Sequence, residues 1–243
     1  MSQLTRQLKR QLDKKSSVEK LLTLNQHKIR LGLSKINKVI KKLKIIQKPD
    51  IKYLTINGTS AKNSIIQIFK SILIQHRQSY AATYSPHLVS ITERFEHNQK
   101  FIKLNKLKKI LTRVVKYKNL THFEKLVVTF GIFIKNLKLD WVIGEFGLFG
   151  RLDGIRAIFN KPNYHFISPI SWDHLNWTKT KKRNFKTLKE IVFEKTSFLR
   201  STVYVSKQDP KVLKLIKYNL RNNRSNKFFY GSDFRIIKKN KRY

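Results

Sequence analysis

The chain has 243 residues with 53 Lys or Arg against 14 Asp or Glu, a formal charge of +39, and it is 40% hydrophobic and 12% aromatic with no cysteine. The apolar content excludes a wholly disordered basic protein, and the missing cysteines exclude disulfides, cysteine zinc sites and thiol catalysis. A compact body of this charge repels itself unless a polyanion neutralises it, which argues against a free metabolic enzyme.

Taken in chain order, the first 16 residues are basic but hold Asp13 and lack an apolar stretch. No secretory signal is expected there, although an organellar presequence is compatible with it. Residues 1–27 are read as a basic extension, 28–233 as one folded domain and 234–243 as a basic tail that orders on a partner. Gly32 to Ile46 places Leu33, Ile36, Val39, Ile40 and Leu43 at helical spacing. Ile51 to Asn57 reads as a strand, Gly58 to Ser64 as a loop and Ile65 to Ile74 as a helix. Strand-like runs follow at Tyr80–Tyr84, Leu139–Gly144, Tyr164–Ser168 and Thr202–Ser206, and helical ones at Thr121–Ile134, Thr187–Thr196 and Lys211–Asn219. Thr121 and Glu124 have capping-box spacing. This alternation predicts an α/β fold with a mainly parallel sheet and helices on both faces. Lys or Arg interrupts every hydrophobic run, so no membrane span is predicted.

Between Glu96 and Glu124 there is no acid, while Lys100, Lys103, Lys106, Lys108, Lys109, Arg113, Lys116 and Lys118 alternate with apolar residues. Lys181, Lys182 and Arg183 form a second basic cluster, and Arg235, Lys238, Lys239, Lys241 and Arg242 a third. Shared sign without compensating acids points to phosphate-backbone contact, and no RRM, KH or zinc-finger signature accompanies it. A peripheral membrane anchor at Lys100–Lys118 is a further reading of the same segment.

The loop Ile56-Asn57-Gly58-Thr59-Ser60-Ala61-Lys62-Asn63-Ser64 follows a strand, opens a helix and ends in Lys-x-Ser. In order after it come Ser85-Pro86-His87-Leu88 with Glu93-Arg94, Leu120-Thr121-His122-Phe123-Glu124, Gly144-Glu145-Phe146-Gly147, Gly150-Arg151-Leu152-Asp153, Asp173-His174 and Phe193-Glu194-Lys195. Together with Lys28-Ile29-Arg30-Leu31-Gly32-Leu33 upstream, this series resembles the folylpolyglutamate synthase and dihydrofolate synthase family. The resemblance implies an ATPase domain of the Mur ligase type that forms an acyl phosphate on a folate carboxylate before a glutamate amine attacks it. It implies that Gly58, Thr59, Lys62 and Ser64 hold ATP, that Ser64, Ser85, Glu145 and His174 surround magnesium, and that Lys195 is the lysine carbamylated to join the metal.

The loop departs from the family's Gly-Thr-Asn-Gly-Lys-Gly-Ser at Ser60, Ala61 and Asn63, and the family's second, glutamate-binding domain is expected to be absent after Tyr243. The combined expectation is a pseudoenzyme with Lys62 and Lys195 vestigial. It requires no cofactor, with ATP and magnesium only as vestigial ligands, and takes no folate substrate. It would act as an RNA-binding component of a ribonucleoprotein, the mitochondrial ribosome, beside rRNA and ribosomal proteins. The alternative is a truncated ATP-dependent folate–glutamate ligase whose missing half another chain supplies. The acids retained in the motifs serve either a working metal site or internal caps and ion pairs with Arg94, Arg151 or Lys195.

Overall fold

Strand β1 (Lys52–Asn57) is buried at every position but its first, and it lies at the centre of the fold because its neighbours supply apolar residues to both of its faces. A computed structural model of the chain describes residue 18 and residues 32–148, 150–173 and 187–237. In chain order the described elements are α1 (Ser34–Lys42), β1, α2 (Lys62–Gln75), β2 (Tyr80–Thr83), a 3-10 turn (Ile91–Arg94), β3 (Glu96–His97), β4 (Lys100–Phe101), α3 (Leu104–Val114) and α4 (His122–Ile134). They continue through β5 (Trp141–Glu145), a second 3-10 turn (Gly154–Ala157), β6 (Tyr164–Ile167), α5 (Leu188–Thr196), β7 (Thr202–Val205), α6 (Pro210–Leu220) and β8 (Lys227–Phe229). The sheet has the order β4-β3-β2-β5-β1-β6-β7-β8, parallel throughout except at the β2–β3 and β3–β4 pairs.

Alternation along β1 divides the core. Tyr53 packs into a cluster with Ile36 and Ile40 of α1, Leu107 and Leu111 of α3 and Phe130 of α4. Leu54 and Ile56 face the other way, onto Ile66 and Leu73 of α2. A third cluster sets Ile167, Val203 and Val205 against Ile191 of α5 and Ile216 of α6. Register pairs Asn57 with Ile167 and Ile167 with Val205, so this third cluster lies on the Tyr53 face.

The capping box at Thr121 is present: Thr121 Oγ1 accepts from Glu124 N–H at 3.2 Å and the Glu124 carboxylate accepts from Thr121 N–H at 2.7 Å. Ser90/Glu93 and Thr187/Glu190 form two more. The basic amphipathic segment is helix α3, whose stripe Leu107, Ile110, Leu111 and Val114 is buried in the core. Its apolar face is therefore already occupied, which removes the membrane-anchor reading. No helix among the described residues is long and apolar enough to cross a membrane. Two further corrections concern element ends: α2 begins at Lys62 rather than Ile65, and α1 stops at Lys42, where Lys44 turns to φ 51°.

Candidate functional site

The chain leaves the C-terminal end of β1 at Gly58, whose φ of +142° and close approach to Ser168 leave no room for a Cβ. Thr59 fixes the loop to the segment after β6, donating its N–H to Pro169 O at 2.9 Å and exchanging contacts with the Ser171 backbone. Ala61 then reverses the chain in the left-handed region, φ 60° and ψ 8°, a conformation that costs a non-glycine residue about 1–2 kcal/mol. Helix α2 starts at the next residue, and Ala61 at its N-cap provides no side-chain cap. Its first-turn N–H groups and the positive end of its dipole therefore face the loop's mouth. Ala61, Asn63 and Ser64 are exposed there, and Asn63 is turned to accept from Gln67 one turn further along the helix.

Two lysines converge beneath this loop. Lys62 Nζ donates to Thr59 O at 3.2 Å and Gly58 O at 3.4 Å, and stands 3.7 Å from Glu145 Oε1. Lys195, buried on α5, donates to the same Gly58 carbonyl at 2.9 Å and lies 3.9 Å from Asp173 Oδ2. Burial, reinforced by the charge of Lys62 and opposed by Asp173 and Asp153, brings the Lys195 ammonium down to about 8. Glu145 ends β5 beside β1, and its Oε2 accepts the Ser85 N–H at 2.9 Å. Burial raises its pKa, while Ser85, Lys62 and Arg94 oppose the rise. Asn57 ties the loop to α5 through a 2.9 Å bond to Lys195 O, and Gly150, at φ +104°, passes so close to Asn57 that a Cβ would meet its amide at 2.5 Å.

Of the residues singled out from the sequence, Gly58, Lys62, Ser85, Glu145 and Lys195 come together here. Thr59 sits in the loop as an anchor, and Ser64 is in the first turn of α2. Ser85 meets Glu145 through its backbone N–H rather than its hydroxyl. His174 lies outside the described residues, as do Lys181, Lys182, Arg183, Lys238, Lys239, Lys241 and Arg242. Other motif acids have internal work: Glu93, Glu124 and Glu190 complete capping boxes, and Glu194 pairs with Arg151 at 2.6 Å. Asp153 accepts from Leu148 and Ile155 N–H, and complete burial pushes its carboxyl up to about 7. Arg94 Nε donates to His87 Nδ1 at 2.9 Å, and its charge also acts on Glu145.

Sequence reading did not single out Asp173 as the partner of Lys195, although it quoted the motif containing it. It also missed the buried cluster in which Glu96 receives Lys70 at 2.6 Å and the hydroxyls of Tyr80 and Tyr84 at 2.8 Å.

Among the described residues, no group of three or more His, Cys, Asp or Glu is arranged to hold a metal ion. The oxygen donors among the singled-out residues are the Glu145 carboxylate, which accepts the Ser85 N–H, and the hydroxyls of Ser64 and Ser85. That set suits magnesium, which takes one or two protein ligands and fills the rest of its octahedron with phosphate and water. A helix start whose N-cap residue has no capping side chain, a left-handed turn before it, and a lysine at its first position suit a polyphosphate in the same way.

The mainly parallel sheet, with this loop between its central strand and the following helix, is an α/β domain of the Mur ligase fold. Among solved structures, the Mycobacterium tuberculosis folylpolyglutamate synthase complexed with ADP superposes with a TM-score of 0.79 at 21% identity, over 93% of this chain and 52% of that one. E. coli FolC in complex with DHPP and ADP gives the same score at 23% identity, over 93% and 53%. In sequence, the dihydrofolate synthetase of Saccharomyces cerevisiae is 31% identical over 200 residues, 78% of this chain and 45% of that protein. The dihydrofolate synthase/folylpolyglutamate synthase of Haemophilus influenzae is 28% identical over 194 residues, 76% and 40% respectively. No protein-family model matches. The chain is a homologue of the dihydrofolate synthase/folylpolyglutamate synthases, and it spans about half the length of the relatives it matches.

Proposed function

We propose that the chain is the ATP-handling half of a folate–glutamate ligase, binding nucleotide phosphates at the Gly58–Ser64 loop. The observation that carries this reading is Ala61 held left-handed directly before a helix that its side chain does not cap, with Lys62 and Lys195 sharing the Gly58 carbonyl below it. A chain released from phosphate binding gains nothing from that backbone conformation, and Ala61 keeps it where a glycine would hold it without strain. In the proposed role the first-turn N–H groups and Lys62 take the terminal phosphates, and Glu145 with Ser64 and Ser85 would hold magnesium, which supplies charge neutralisation to phosphoryl transfer. The γ-phosphoryl group passes to a carboxylate oxygen of the acceptor, ADP leaves, and an amine then displaces phosphate from the acyl carbon. The solved relatives named above carry ADP, which supports nucleotide as the ligand class.

This reading replaces the expectation of a ribosomal pseudoenzyme as the leading one, because the relatives found are named as folate enzymes. The test is calorimetric titration of the full chain with ADP at high salt. Lys62→Ala should weaken binding about tenfold or more, a loss of about 1.4 kcal/mol, while Lys109→Ala leaves it unchanged. Equal affinity in wild type and Lys62→Ala would overturn the reading.

One observation favours a second activity, polyanion contact along α3. Lys103, Lys106, Lys109 and Arg113 are exposed, and none forms an ion pair among the described residues. Lys100, Lys116, Lys118 and Arg235 are exposed as well, whereas Lys108 is half-buried. Phosphate-backbone binding there would fall steeply with salt.

A further inference from the structure

The two faces of the sheet are covered unequally. Register places Tyr164 and Phe166 of β6 on the same face as Leu54 and Ile56, and Tyr204 and Phe228 follow them on β7 and β8. That face carries α2 alone among the described helices, packed over β1, β2 and β5. Beside α2 and above β6 and β7 lies a groove of about 490 Å³, walled by Ile65, Ile68 and Ile72 and floored by Trp141, Tyr164 and Phe166. Ile68 is 62% exposed and Ile72 45%. Parallel sheets are normally covered by helices on both faces, so a half-open face of this kind is a helix position that no described residue fills.

We propose that this groove receives an amphipathic helix of a partner polypeptide, apolar at i, i+3 or i+4 and i+7, and acidic on its flanks. The apolar pattern follows from the groove, whose lining is aliphatic on one side and aromatic on the floor. The acidic flanks follow from charge. Helix α2 contains no acid. At the end of the sheet where α2 finishes and the strands begin, Lys52, Arg77, Lys161, Arg200 and Arg224 outnumber Asp50 and Asp140, and Asp140 already accepts from Ser79. A single-stranded nucleic acid fits less well, because it needs free ring faces. Trp141 and Tyr164 stack on each other at 5.7 Å and 26°, and Tyr204 and Phe228 at 5.0 Å and 14°. Each of those rings gives one of its two faces to its neighbour. The inference concerns a surface separate from the phosphate loop and stands whether or not nucleotide binds.

The test places a photo-reactive benzoylphenylalanine at Ile68 of the full chain, with the same group at Leu88, 87% exposed on the loop after β2 and not part of the groove lining, as reference. After irradiation in the chain's own cells, cross-linked residues are mapped by mass spectrometry. The proposal predicts a cross-link from position 68 to a net-acidic segment with the stated helical spacing. A synthetic peptide of that segment should bind the full chain saturably, and Ile68→Glu with Ile72→Glu should weaken it about tenfold or more. Both substituted sites are solvent-facing, and an unchanged circular dichroism spectrum confirms the fold. Cross-links to RNA, to a second copy of this chain, or at no more than the Leu88 level would overturn the proposal. So would a peptide whose affinity ignores the double substitution.

Discussion

At the head of α2 the positive charges are met: Lys62 by two loop carbonyls and Glu145, Lys195 by the Gly58 carbonyl and Asp173. Along α3, Lys103, Lys109 and Arg113 stand in water with no ion pair among the described residues. The difference separates two meanings of one basic composition. A buried cation must be paired or shifted toward neutrality, so its position is tied to the fold, whereas an exposed one is free to move and contributes to long-range potential. Charge counted over the whole sequence cannot distinguish them, which is why a net charge of +39 suggested RNA as the leading partner while the loop geometry favours nucleotide.

The sharpest way to break the contrast is to strand a buried charge. Lys70→Met leaves Glu96 with only the Tyr80 and Tyr84 hydroxyls and should cost about 3–5 kcal/mol in urea unfolding. A loss below about 1 kcal/mol, the value typical of exposed pairs, would erase the distinction between interior and surface.

Next comes Asp153, whose carboxyl the fold lifts to about 7 from an ordinary 3.8. Because the folded form binds a proton that the unfolded form has lost, its contribution is fully present below pH 4 and disappears as pH rises through 7. The difference in stability between wild type and Asp153→Asn should therefore shift with that sign across pH 4 to 7. A difference that stays flat would show that Asp153 ionises normally.

A smaller effect is expected at Ala61. Replacement by Gly relieves the left-handed strain and should stabilise the chain by about 1 kcal/mol, less the extra entropy of glycine in the unfolded state. Destabilisation by Ala61→Gly would mean that the turn is not strained.

The smallest change in folding is predicted on α3, where Lys109→Gln should alter stability by less than about 0.5 kcal/mol. If α3 meets phosphate backbones, the same substitution lowers the salt slope of RNA binding by about 1. An unchanged slope would remove α3 from any such interface.

Much of this fold was legible because its strands and helices repeat a strong pattern: β1, the loop after Asn57 and the Thr121 capping box stand where the residues suggested. Other features had no such signal. Strands β3 and β4 are two residues each, too short for alternation to register, yet the hairpin they make carries Glu96 to Lys70. The early start of α2 depends on Ala61 adopting positive φ, which alanine's local preference does not predict. The run Tyr164-His165-Phe166-Ile167 reads as a strand buried on both faces. Tyr164 and Phe166 are nevertheless only half-buried, because what covers a face is a property of topology rather than of the strand. Within the site, Lys62 and Glu145 were marked by their motifs, whereas the Lys195–Asp173 approach joins residues 22 positions apart and had no local signal.

The most direct measurement follows the backbone amides of Ala61, Lys62, Asn63 and Ser64 by NMR while ADP is added to the full chain in about 1 M salt, where the Debye length is about 3 Å and diffuse attraction is suppressed. Nucleotide held by the loop predicts large, saturable shifts of those four amides, abolished by Lys62→Ala. Shifts confined to the lysines of α3, or no shifts at all, would contradict it.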